Sequence, residues 1–381
     1  MRILSLGTAY GWWGELSPRQ LDDESCGQIG GGEQAWLMTA FRLAERGHEV
    51  HVAGDFGRAD LYRSVAFHQR HEALPLATRE AWDAILAWCD LGNLGRPVGF
   101  FHDLPCGAAL RVVPQQLNHV LDVAGVDVIV SPSEAHRRAT VEPYFKGVVE
   151  VVPNGVDASR ALQPADGPRD PFLVVYASSP DRGLHHLLRA WSEVRRREPR
   201  ARLRVYYEID RWYENLRDLS TRRAAPAMAY LADEIWRRAH ELGGAGVELR
   251  GAVHPRRLAR ELLRTGVLAY PCDTVSWTEG FGQVPLEAAC AGCYVIVSDQ
   301  DALGEIHADH ARVVPKEILL RDVASPVLEG IAAMAQGSAC GEQGWLDEER
   351  RRALVAKWEW REAARRWETI LRARGAGRRA A

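Results

Sequence analysis

Lysine is nearly missing from this 381-residue chain: Lys146, Lys316 and Lys357 stand alone among 48 basic side chains, the rest being arginine. A GC-rich genome is the simplest cause, so the bias carries no function. Charge of one sign is lacking too. The basic residues face 51 acidic ones for a net −3, and a near-neutral chain has no strong nucleic-acid footprint. Nowhere do 18 apolar residues run together, the length a membrane-crossing helix needs. The apolar run at the start, Ile3 to Leu6, is too short for a signal peptide and ends at Gly7. The seven cysteines are odd in number and show no framework spacing, as expected in a reducing compartment. Cys290 and Cys293 flank Gly292 and read as packing residues rather than a redox or zinc pair. Also absent is the dinucleotide fingerprint G-x-G-x-x-G, which argues against a nicotinamide cofactor. These absences lead to the expectation of a cytoplasmic, bacterial protein with no nucleic-acid partner and no transmembrane segment. Peripheral membrane contact and oligomeric state stay open.

What is present is ordinary globular material, 46% hydrophobic and 26% charged, in a chain long enough for two domains. Short apolar runs alternate with helical patterns, the mark of parallel sheets covered on both faces. In the first half the strands expected are Arg2–Leu6, Val50–Ala53, Val98–Phe101, Val126–Val130 and Val148–Val152. The helices expected there are Glu33–Arg46, Thr78–Trp88 and Ser133–Thr140. In the second half the strands are Phe172–Tyr176, Arg202–Tyr207, Val247–Arg250, Val267–Tyr270 and Tyr294–Ser298. The helices are Leu184–Arg197, Arg256–Leu263 and Gln283–Ala291, with one or two added within Trp212–Glu241. A helical tail runs from Asp347 to about Arg374, with Leu354, Trp358, Ala363 and Trp367 on one face. The segment 161–171, rich in Pro, Gly and Asp, reads as a linker. It separates an N-terminal domain, 1–160, from a C-terminal one, 172–350. Charge divides unevenly: residues 1–160 carry 14 basic and 20 acidic side chains, the remainder 34 and 31.

The most informative stretch is Glu279-Gly280-Phe281-Gly282-Gln283-Val284-Pro285-Leu286-Glu287. It joins the buried strand ending at Tyr270 to a helix, through a glycine turn. Glycines let backbone N–H groups approach a ligand closely, and a helix N-terminus favours an anion. Pro285 suits the first helical turn. Two carboxylates thus flank a cradle for a diphosphate, the chemistry a sugar nucleotide presents.

This stretch resembles the Glu–seven residues–Glu signature of retaining glycosyltransferases with the GT-B fold, in the large family four. The resemblance implies that Glu279 meets hydroxyls of the donor sugar. It gives the amides of Gly280, Phe281 and Gly282 to the diphosphate or sugar, and Glu287 to the ribose. It also implies an α/β architecture of two doubly wound, Rossmann-like domains facing across a cleft, with the C-terminal helix, about 355–381, returning to the first domain.

Other motifs follow in the family's order. Gly30-Gly31-Gly32-Glu33 is similar to its G-G-x-E loop, whose glycines let a helix terminus reach the donor diphosphate. His102, in Phe101-His102-Asp103, stands where relatives place a histidine near the donor sugar, and Asp103 could orient it. Arg182 in Ser178-Ser179-Pro180-Asp181-Arg182-Gly183 matches a position where a lysine usually holds phosphate. An arginine there can grip two phosphate oxygens at once. A second basic residue of the family's pair is replaced here by Ser178 or Ser179, leaving one cation fewer. Pro153-Asn154-Gly155-Val156-Asp157 agrees with a turn common before the linker. Asp299-Gln300-Asp301 has the D-x-D form of a metal motif from a different fold and reads here as a loop cap. Trp12 and Trp13, with Asp22, Asp23 and Glu24, could face an acceptor or simply pack.

The expectation is a retaining, metal-independent hexosyltransferase-like enzyme. It takes a nucleoside-diphosphate sugar as donor, needs no further cofactor, and acts on a soluble small molecule or glycan. His102, Glu279 and Arg182 form the catalytic set; Gly31, Gly32, Arg182, Gly280, Phe281, Gly282 and Glu287 bind the donor. Two rivals are a GT-B sugar-nucleotide epimerase and a non-catalytic sugar-nucleotide-binding partner.

Overall fold

The computed structural model describes residues 1–7, 15–88, 101, 107, 109–116, 123–218, 222–223, 225–274, 277–339 and 344–379, with side chains as far as 375. The chain divides into two units, Met1–Asp157 with Lys357–Ala381, and Ala158–Ala356. No helix among the described residues is long and apolar enough to cross a membrane.

The first unit carries an eight-stranded sheet. Its strands are β1 (Arg2–Leu6), β2 (Glu49–Gly54), β3 (Asp60–Tyr62), β4 (Val65–Gln69), β5 (Ala84–Ala87), β6 (Leu110–Pro114), β7 (Val128–Ser131) and β8 (Val148–Val151). Their order is β3-β4-β2-β1-β5-β6-β7-β8, parallel except for β3, which runs antiparallel to β4 at the edge. Strand β1 is paired on both sides, Leu4 with His51 of β2 and with Ile85 of β5. The order reverses direction there, between β1 and β5.

The second unit carries six parallel strands: β9 (Asp170–Tyr176), β10 (Arg202–Val205), β11 (Val247–Leu249), β12 (Thr265–Tyr270), β13 (Tyr294–Ser298) and β14 (Arg312–Val314). They are ordered β11-β10-β9-β12-β13-β14, so this sheet reverses between β9 and β12. All six residues of β12 are buried, because a central parallel strand is covered on both faces.

Two sequence expectations in the first unit are overturned. Thr78–Trp88 is not a helix. A short helix, Ala73–Arg79, covers only its first two residues, and Ala84–Ala87 is β5, with all four side chains at most 1% exposed. Alanine, isoleucine and leucine buried on both faces give no alternation, so periodicity cannot separate such a strand from a buried helix. Phe101 was expected to end a strand; it is a buried turn residue, and Val98 to Phe100 lie outside the described residues. Strands β3, β4, β6 and β14 were not anticipated. Their polar or mixed sequences carry little strand signal, and the β3–β4 turn uses Arg63 and Ser64 at φ +50° and +61°. Hairpin turns of that conformation usually advertise themselves with Asn-Gly. Here Arg63 is held instead by Asp22 at 3.2 Å, by Glu45 at 2.7 Å and against the Phe41 ring.

The tail is two helices rather than one, Glu348–Trp358 and Trp360–Arg379. At the break, the Val156 amide donates to the Trp358 carbonyl at 2.7 Å and the Trp360 amide to the Val156 carbonyl at 3.2 Å. The second tail helix places Trp360, Ala363, Trp367 and Leu371 in the first unit's core with Trp36, Phe41 and Trp88. Burial of each such large side chain is worth roughly 1.5–3 kcal/mol.

Candidate active site

Ligands in open α/β sheets collect beyond the carboxyl ends of strands where strand order reverses. In the second unit that point lies between β9 and β12. The loop after β9 carries Ser178 to Gly183, and the loop after β12 carries Glu279 to Gly282. Both have reasons in the sequence to leave the sheet there. Gly183 enters the Leu184–Arg197 helix at φ +98°, and a Cβ on it would lie 1.9 Å from the Pro271 carbonyl oxygen. Gly282 enters the Gln283–Cys290 helix at φ +83°. Only glycine takes such angles without strain.

The two loops meet through Glu279, which is 6% exposed. Its Oε2 accepts from Arg182 Nη1 at 2.8 Å and from the Tyr270 hydroxyl at 2.5 Å; its Oε1 accepts from the Gly282 amide at 2.9 Å. Burial opposes the charged form of Arg182, but the Glu279 carboxylate outweighs it and raises the guanidinium well above its ordinary range. Burial and neighbouring Cys272 and Glu279 likewise push the Tyr270 phenol up, so it stays a donor. Ser178 Oγ lies 3.2 Å from the Tyr270 hydroxyl, while Ser179 Oγ donates to Asp181. Ser178 is thus linked to Glu279 through Tyr270. One helical turn on, Gln283 Nε2 donates to Glu287 Oε1 at 3.0 Å, and Glu287 is half-buried.

The loop carrying Glu279 is fixed from behind. Asp301, at φ +54°, accepts the Thr278 and Glu279 amides at 2.8 and 2.9 Å, and Asp299 accepts the Lys316 amide at 2.7 Å. The D-x-D sequence is thus a pair of loop caps. His307 lies against the backbone of Phe281 and Gly282 and pairs with His310, Nδ1 to Nε2, at 2.9 Å. Burial, with His310 adding to it, pushes the His307 imidazole down to about 3, so this residue buttresses the glycine turn as a neutral group.

One group of metal-ligand type occurs among the described residues. His185, His186 and Asp273 bring ligand atoms within 4.8 Å of one another. His186 Nε2 is 3.0 Å from Asp273, and the Lys316 ammonium is 3.4 Å from the same carboxylate. That ammonium and the N-terminus of the Leu184–Arg197 helix bring positive charge beside the cluster. Burial and the neighbouring His186 push His185 down to about 4.

In the first unit, the helix Gly31–Glu45 begins after Gly30, which has no side-chain cap. A Cβ on Gly31 or Gly32 would meet no described atom within 4 Å. His102 and Asp103, and the pair Trp12-Trp13, lie outside the described residues. Asp22 is occupied with the Tyr62 hydroxyl at 2.9 Å and with Arg63, and Asp23 caps Ser25. Cys290 and Cys293 are both buried, and burial raises their thiols.

Sequence reasoning missed Tyr270 and His307. A tyrosine ending a fully buried strand needs a partner for its hydroxyl, and that signal was there to read. His307 carried none, since its contact with Gly282 is made only in three dimensions.

Residues 171–329 match the family described as glycosyl transferases group 1. Three solved structures illustrate the likeness of the whole chain. AviGT4, a glycosyltransferase involved in avilamycin A biosynthesis, is 19% identical, with 99% of this chain and 98% of that one covered at a TM-score of 0.66. The trehalose-6-phosphate synthase OtsA is 10% identical, with 98% and 99% covered at 0.68. HepE from Anabaena, solved with UDP and glucose, is 14% identical, with 98% and 100% covered at 0.61. No curated protein matches by sequence. The α/β fold read from the sequence is met: two parallel-sheet units in the GT-B class.

Proposed function

We propose that this chain, a GT-B fold with a glycosyl transferases group 1 segment, is a retaining glycosyltransferase. It moves a sugar from a nucleoside diphosphate to a hydroxyl or amine of a small molecule or glycan. The observation that carries the reading is the meeting of Arg182 and Glu279, 2.8 Å apart, on the two loops that flank the strand-order reversal of the second sheet. A cation for a departing diphosphate and a carboxylate for sugar hydroxyls stand side by side, with a helix N-terminus next to them.

In this proposal Arg182, the helix starting at Gln283 and the amides near Gly31 and Gly32 offset the charge of the leaving diphosphate. Glu279 orients the donor sugar, Glu287 holds the ribose, and His102 contacts the sugar. The bond from the anomeric carbon to the phosphate oxygen breaks, and the acceptor oxygen or nitrogen bonds on the same face. The acceptor's proton passes to the leaving phosphate, so neither a metal nor an added cofactor is required. The UDP and glucose in the HepE structure put UDP-glucose first in the series of donors to try.

Melting the protein with UDP, GDP, ADP, CDP and dTDP, with and without EDTA, tests the donor site. A ligand held only by the folded state adds roughly 2.7 kcal/mol at a hundredfold excess over its dissociation constant. One base should raise the melting temperature without metal, and less so in Glu287→Ala. No rise with any of the five would remove the donor site.

A further inference from the structure

We infer that Tyr270 is a positioning residue for Glu279, holding its carboxylate for the donor sugar once Arg182 turns to phosphate. The inference rests on the proposed donor site and adds to it a residue from the strand itself. In the structure Glu279 Oε2 has two donors, Arg182 and Tyr270, and Oε1 has one, the Gly282 amide. A diphosphate competes for Arg182, because charge-assisted contacts to its oxygens resemble those to a carboxylate. The donors left to Glu279 are then the backbone amide and the phenol. Tyr270 is suited to that task. It is the last residue of β12, its backbone in register with Val297 of β13. It is 3% exposed, so no bulk water competes for its hydroxyl.

Tyr270 is also tied to the opposite loop. Ser178 Oγ sits 3.2 Å from its hydroxyl, so a chain Ser178–Tyr270–Glu279 spans the strand-order reversal. Tyr176 stands at the end of the neighbouring strand β9, the two ring centroids 5.9 Å apart. Its hydroxyl donates to the Ser179 carbonyl at 2.7 Å. Two tyrosines on adjacent strand ends thus hold the two loops, one the arginine loop and one the glutamate.

Tyr270→Phe removes the hydroxyl and keeps the ring. The test compares it with wild type by calorimetric titration of UDP, or of whichever of GDP, ADP, CDP and dTDP binds. Release of that nucleoside diphosphate from its glucose or mannose conjugate is then followed. Losing one hydrogen bond to a buried charge should slow release at saturating donor by about 10- to 100-fold. Affinity for the nucleoside diphosphate, which has no sugar to orient, should stay within about twofold. Ser178→Ala should slow release by a smaller factor in the same direction.

Unchanged release in Tyr270→Phe would overturn the inference. So would a parallel loss of nucleoside-diphosphate affinity and melting temperature, which is what a merely structural tyrosine would give. If wild type binds none of the five nucleotides, the donor site itself fails and the inference with it.

Discussion

The two units use glycine for opposite reasons. In the second unit, Gly183 and Gly282 have φ of +98° and +83°. Side chains there would strike the Pro271 carbonyl at 1.9 Å in one case, and His307 Nε2 at 2.5 Å and Leu303 at 2.6 Å in the other. The fold demands these glycines. In the first unit, a Cβ on Gly31 or Gly32 would meet no described atom within 4 Å. Nothing in the described fold forbids a side chain at those positions, at the open end of a 15-residue helix. Packing fixes the glycines of the second unit; the Gly31 and Gly32 positions of the first are open.

The contrast can be broken most directly at Gly183. Gly183→Ala should cost about 3 kcal/mol or more, since the obstacle is a backbone carbonyl and the angle is left-handed. Urea unfolding measures it, and a cost under about 1 kcal/mol would show that the loop has slack. Gly282→Ala should cost less, because its obstacles are side chains. At Gly31 and Gly32 the sign reverses. Alanine in the first turn of a helix should leave stability unchanged or raise it by up to about 1 kcal/mol. The added methyl would keep a phosphate off the backbone amides there, so the same change should weaken nucleoside-diphosphate binding by about tenfold, the worth of one hydrogen bond to a charged group. A stable Gly31→Ala with full affinity would detach that helix from the donor site.

Where sequence and structure agree, the agreement has local causes. The helix Leu184–Arg197 and the strand Tyr294–Ser298 fall where they were expected, because a glycine starts one and a β-branched apolar run fills the other. The glycine turn from Glu279 to Gly282 was legible for the same reason. Failures came where tertiary context decides. Ala84–Ala87 is apolar on every side and looks like helix. The Arg63-Ser64 turn takes left-handed angles because Asp22, Glu45 and Phe41 hold it, residues distant in sequence. The tail breaks at Glu359 because Val156 intrudes into its hydrogen bonding, and no local letter announces that. The partners of Glu279 were half legible: Arg182 by its motif, Tyr270 only by the general need of a buried hydroxyl.

A smaller effect sharpens the contrast through pH. His307 has a folded value near 3 against about 6.5 for an exposed histidine. The unfolded chain therefore takes the proton first, and stability is lost as pH falls below about 6.5. That one group contributes about 1.4 kcal/mol per pH unit within the window. His185, His186, His48 and His68 are also depressed and add with the same sign. His307→Gln should flatten the fall measured by urea unfolding between pH 6.5 and 5. An unchanged slope would mean that His307 is not held neutral behind Gly282.

In the proposed function, Glu279 and Arg182 handle a sugar nucleotide so that its sugar leaves the diphosphate. Proton NMR of the protein incubated with UDP-glucose, then with GDP-mannose, ADP-glucose, CDP-glucose and dTDP-glucose, follows both the anomeric proton and the nucleotide. The prediction is release of a nucleoside diphosphate from one donor by wild type, faster once an acceptor is supplied, and its loss in Glu279→Gln. Conversion of a donor into an epimeric sugar nucleotide, or no change in any of the five, would contradict it.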